Sequence, residues 1–163
     1  MSQLVALSLS IGLLGGVFTW LALGTLSVWA GFIAWACFFH CGGDTNALKQ
    51  TIVGNVFGAV MAWVAAFLVL QVGLPAGVAV GVTVFILCMA AHVKLLSSIP
   101  ASVYGYASTF AILLIDAQRF AIAALVEVDY KGNPVLQVAA SMIVGALFGF
   151  ASSKLAGVLT KKA

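Results

Sequence analysis

The chain has 163 residues, 64% of them hydrophobic and 7% charged, with a formal net charge of +3. An ordinary soluble domain carries about 25% charged residues, and so little charge cannot cover a water-facing surface. The Lys and Arg residues are scattered rather than clustered, which excludes a nucleic-acid-binding face.

Charge is missing over three long runs: from the start to Cys41, between Lys49 and Lys94, and from Gly132 to Ser153. Crossing a hydrocarbon core of ~30 Å takes about 20 helical residues, so each run holds one or two crossings. Residues 1–20 have no basic n-region and no clear small-x-small cleavage site, and they read as a retained first helix.

Six segments follow in chain order. The first covers Gln3–Leu23 and the second Thr25–Phe39. The third covers Thr51–Gln71 and the fourth Ala76–Val93. The fifth is Pro100–Ile115, started by Ser98 and Pro100, and the sixth is Val135–Val158. Segments 2 and 5 are short, and each begins beside a break. The apolar Leu95, Leu96 and Ile99 around Ser97 and Ser98 suggest that the 4–5 connection dips to membrane depth. A short surface loop is the simpler alternative. Connections and tails leave no room for a soluble domain, so residues 1–163 are expected to form a single transmembrane domain.

Lys and Arg favour the cytoplasmic side in short loops. Lys49, Lys94, Lys154, Lys161 and Lys162 fall on one side of a six-crossing layout, and Arg119 and Lys131 on the other. Both termini are therefore expected in the cytoplasm. Asp116, Glu127 and Asp129 then lie outside, as a solvated loop or as the edge of an outer vestibule.

The chain reads as one unit written twice, over about residues 1–72 and 73–163. At an offset of 87, Gln50 matches Gln137, Gly58 matches Gly145 and Ala59 matches Ala146. The same register aligns two small-residue ladders: Gly54, Gly58 and Ala62 on segment 3, and Ser141, Gly145 and Gly149 on segment 6. At an offset of 75, Ser27-Val28-Trp29-Ala30 matches Ser102-Val103-Tyr104-Gly105, with Trp35 on Phe110. Chance recurrence of small residues is the alternative. A three-helix repeat enters the membrane the second time from the opposite side. The expected fold is all-α, with six transmembrane helices in an inverted three-plus-three repeat and segments 2 and 5 short or re-entrant. Such repeats are typical of proteins that move solutes. The ladders place segments 3 and 6 in the helix-packing core. A further ladder at Gly77 and Gly81 leads us to expect a homo-oligomer.

The pattern Trp29-x-Gly31-Phe32, Phe38-Phe39 before Gly42-Gly43, Gly54-Asn55-x-x-Gly58, Ser98-x-Pro100, Gly105 and Phe110-Ala111 resembles the YcdZ-like family of small bacterial inner-membrane proteins. The resemblance covers nearly the whole chain. It implies an inner-membrane location and a six-helix domain, and it supplies no function and no catalytic residue.

Intramembrane polarity is thin. Asn55 is a buried amide in search of partners, serving either as interhelical glue or as a pathway contact. Ser102 and Thr109, with Ser27, Thr25 and Ser108, cluster at segments 2 and 5, where hydroxyls commonly bond their own backbone. Trp29, Trp35, Tyr104 and Phe110 are either interfacial anchors or walls of a narrow slot. Cys37, His40 and Cys41 share a helix end, and Cys88 with His92 could join them. Cysteine serves equally as a small apolar residue, and we expect neither metal nor cofactor. No nucleophile sits beside a base, so no enzymatic activity is expected. The pattern points to a passive channel or facilitator for a small neutral solute such as water, ammonia, urea, a small amide or a polyol. Trp29, Trp35, Tyr104 and Phe110 would form its walls, and Asn55, Ser102 and Thr109 its polar contacts. A carrier for a small organic cation and a non-transport regulatory partner are the alternatives. The expected partners are the lipid bilayer and the solute.

Overall fold

A computed structural model describes residues 1–160. The described residues form helices joined by short turns, without a strand among them. α1 spans Gln3–Ala22, α2 Val28–His40, α3 Thr45–Leu70 and α4 Ala76–Met89. α5 spans Ile99–Ile115, α6 is a single turn at Ile122–Leu125, and α7 spans Pro134–Thr160. Two 3₁₀ turns, Ala90–His92 and Lys94–Leu96, connect α4 to α5.

Local chemistry sets the boundaries. α3 begins six residues before the expected Thr51 because Asp44 caps it, its Oδ1 accepting from Ala47 N–H at 2.7 Å. The cap carries Lys49 into the helix instead of a loop. α2 starts at Val28 rather than Thr25, because Gly24 turns the chain at φ +75° and the N–H groups of Thr25 and Leu26 both bond Ala22 O. Before α7, Asn133 does double duty. Its Oδ1 accepts from Val135 and Leu136 N–H, and its Nδ2 donates to Leu125 O and Glu127 O, tying the α6 loop to the helix start.

α1, α3 and α7 are long and apolar enough to cross a membrane. α2, with 13 residues, reaches only about 20 Å at 1.5 Å per residue, short of the ~30 Å hydrocarbon core. α3 and α7 form the centre: α3 packs on α5, α4 and α7, while α7 packs on α2, α1 and α3. The main core joins α2, α3, α5 and α7 through Ala30, Ala34, Ala59, Leu113, Val138, Met142 and Ala146. Flanking cores hold α4 to α3 and α5 around Leu87 and Tyr106, and α1 to α2 and α7 around Phe18 and Trp35.

The ladder residues lie at two close crossings. A Cβ on Gly58 would stand 1.9 Å from Ser102 O, which puts α3 and α5 in backbone contact. A Cβ on Gly145 would stand 2.1 Å from Gly31 O, and α7 meets α2 in the same manner. Gly54, Gly149, Ala62 and Ser141 are buried beside these points.

Candidate functional site

α3 and α5 carry an unusual set of buried polar side chains, of which Asn55 and Ser102 lie at their crossing. Thr51 and Asn55 on α3, and Ser102 and Ser108 on α5, are each at most 1% exposed. Thr51 Oγ1, both head atoms of Asn55, Ser102 Oγ and Ser108 Oγ have no hydrogen-bond partner. Among the described residues these are all the buried side-chain polar atoms left unpaired. Hydroxyls on helices ordinarily bond the carbonyl one turn back, as Thr109 does to Gly105 O at 3.0 Å. An unpaired buried polar group costs about 1–3 kcal/mol, and more in hydrocarbon, where water does not help.

Asn55 stands eleven residues beyond the Asp44 cap, about 16 Å along the axis. That is roughly half the thickness of a hydrocarbon core. Its backbone lies against Gly105, where a Cβ would come within 1.9 Å of Asn55 O. Polar groups also mark the helix ends on this side. His40 Nδ1 and Tyr104 Oη are 2.9 Å apart, Cys41 Sγ and Ser98 Oγ 3.3 Å, and Gln50 Nε2 donates to Ser97 Oγ at 3.1 Å. From α2, Cys37 approaches Thr51 without reaching hydrogen-bond geometry.

The α2–α7 crossing is polar in a different way, with its groups paired. Ser27 N–H donates to Ser141 Oγ at 2.9 Å, and Ser141 Oγ donates to Gln137 O. Trp35 Nε1 donates to Ser152 Oγ at 3.1 Å. Met142, 87 residues beyond Asn55 on α7, is fully buried.

The four aromatic residues do not meet in one slot. Trp35 is buried with Phe18 and Phe148 and stacks on Phe32 at 5.8 Å between centroids. Phe110 packs on Tyr106 at 5.0 Å, on the α4 side of the molecule. Tyr104 pairs with His40 at a helix end, and Trp29 is exposed in the first turn of α2. Asn55 and Ser102 come together at the crossing, with Thr109 further along α5. Thr51 was not singled out by the sequence reading. Its i, i+4 spacing to Asn55 was the signal available.

Surface grooves lie elsewhere. The one along α1, of about 600 Å³, is lined by Ile11, Gly12, Gly15, Gly16, Thr19, Trp20, Leu23 and Phe32, and its single hydroxyl, Thr19, is bonded to Gly15 O. In the α5–α7 connection, Arg119 pairs with Asp116 and bonds Gln137, while Glu127 accepts from Val128 N–H. Cys37 Sγ and Cys41 Sγ are 4.0 Å apart. Among the described residues no three His, Cys, Asp or Glu side chains are grouped to hold a metal ion.

Apolar helices of spanning length around a buried polar crossing define a helical membrane protein. A family model described as a protein of unknown function, DUF1097, matches residues 8–157. The chain belongs to this family. It is 32% identical over 117 residues to the inner membrane protein YcdZ of Escherichia coli, covering 68% of this chain and 71% of that one. It is 30% identical over 117 residues to the inner membrane protein YcdZ of Salmonella typhimurium, covering 68% and 72%. No solved structure matches the chain.

Proposed function

We propose that this protein is a passive facilitator for a small neutral solute in the bacterial inner membrane. The observation that carries the reading is that Thr51, Asn55, Ser102 and Ser108 are buried on α3 and α5 without partners, Asn55 about 16 Å beyond the α3 cap. Four buried side chains stand here without partners where apolar residues would be more stable, and a passing polar solute would repair that cost. The absence of charge from residues 50–93 and 99–115 suits an uncharged cargo.

The pathway is proposed to sit within an inverted three-plus-three repeat of six crossings. Supporting this, Ser102 and Tyr106 meet Gly54 and Gly58 as Ser27 and Gly31 meet Ser141 and Gly145, at the offsets of 75 and 87 found in the sequence. α4 also flanks α3 as α1 flanks α7. Both termini are assigned to the cytoplasm on Lys49, Lys94 and Lys154 against Arg119 and Lys131. Lys161 and Lys162, which add to this bias, lie outside the described residues. Association of copies through α4 is supported by Gly77 and Gly81, which have open space where a side chain would be.

Purified protein in liposomes tests the reading by stopped-flow swelling against water, urea, formamide, glycerol and guanidinium. At least one neutral solute is expected to cross faster than in empty vesicles, with guanidinium left at background. Background rates for all of them, together with capture of one stoichiometric protein partner, would replace transport with a regulatory role.

A further inference from the structure

Asn55 differs from its neighbours in presenting a donor and an acceptor on one planar head, with both unpaired. An amide is the complement of that head: its carbonyl accepts from Asn55 Nδ2 while its N–H donates to Asn55 Oδ1. Thr51 lies one helical turn away on α3, and Ser102 meets the same stretch of α3 from α5. Their hydroxyls can bond a second N–H or the remaining carbonyl lone pair. An ion would fare poorly here, because no carboxylate or ammonium occurs on these stretches of α3 and α5 to balance it. At the equivalent crossing of α2 and α7, Met142 replaces the amide and the polar groups are satisfied. Only one of the two crossings is therefore equipped for such a guest.

We infer that the group around Asn55 binds uncharged planar amides of the urea and acetamide class through a two-point hydrogen bond to the Asn55 side chain. The inference rests on the transport reading and narrows its substrate.

The test compares urea, acetamide and glycerol entry into liposomes holding the full chain, its Asn55→Leu variant or its Ser102→Ala variant. Urea and acetamide are expected to enter faster than in empty vesicles. Asn55→Leu should slow both about tenfold, the scale of losing two neutral hydrogen bonds, and Ser102→Ala should slow them severalfold. Glycerol, which lacks the paired C=O and N–H of an amide, should be slowed by a smaller factor than urea and acetamide in Asn55→Leu. If glycerol or water crosses while the amides stay at background, the amide assignment falls and the facilitator stands. If nothing crosses, both fall. Wild-type amide flux through a monodisperse Asn55→Leu protein overturns the inference. Should that variant aggregate, unchanged flux through Ser102→Ala does the same.

Discussion

Gly58→Ala, Gly105→Ala and Gly145→Ala are each expected to cost about 3 kcal/mol or more, a large share of the roughly 5–15 kcal/mol typical of a folded protein. Overpacking a tight core usually costs about 1–3 kcal/mol when side chains can give way. Here the obstacle is backbone: the new carbon would fall 1.9 Å from Ser102 O, 1.9 Å from Asn55 O and 2.1 Å from Gly31 O. Two helices would have to separate at the point where the rest of their contact is organised. Gly12→Ala is the control, since nothing lies within 4 Å of its added carbon. Size-exclusion profiles of fluorescent fusions, followed by detergent unfolding, measure the difference. Wild-type profiles for the three crossing variants would show that α3–α5 and α2–α7 are not in backbone contact.

Asn55→Leu should raise stability while it slows amide entry. Leucine keeps the four-heavy-atom skeleton of asparagine and carries no polar atom. Replacing an unpaired buried polar group by an apolar one of the same shape is neutral or stabilising. A gain of about 1–2 kcal/mol is expected, read as a later unfolding midpoint. Proteins commonly give up stability at sites that must bind something. A loss of more than about 1 kcal/mol in the variant would mean that the amide is a satisfied structural link.

Much of the helical layout was legible, because uncharged length and glycine or proline punctuation report directly on spanning helices. The misplaced boundaries came from side-chain capping. Lys49 read as a loop charge ahead of a helix starting at Thr51, whereas Asp44 caps α3 and Lys49 lies in its second turn. The single turn α6 was missed because its four residues, Ile122–Leu125, are too few to show a period. At the site, Asn55 and Ser102 stood out through rarity, as polar residues in apolar runs. Their convergence became visible only when Gly54, Gly58 and Gly105 were seen to bring α3 onto α5. Trp35 shows the limit from the other side. Its indole is committed to Ser152, 117 residues away, and no local pattern announces that pairing.

The central claim is that the polar group at the α3–α5 crossing communicates with water while the α2–α7 crossing does not. The direct measurement places cysteine at Asn55 or at Met142 in a chain whose Cys37, Cys41 and Cys88 are alanine, and follows modification by a small water-soluble thiol reagent. In membrane vesicles exposing the cytoplasmic face, Asn55→Cys should react and be protected by acetamide, and Met142→Cys should stay inert. An Asn55→Cys protein as unreactive as Met142→Cys would contradict the account.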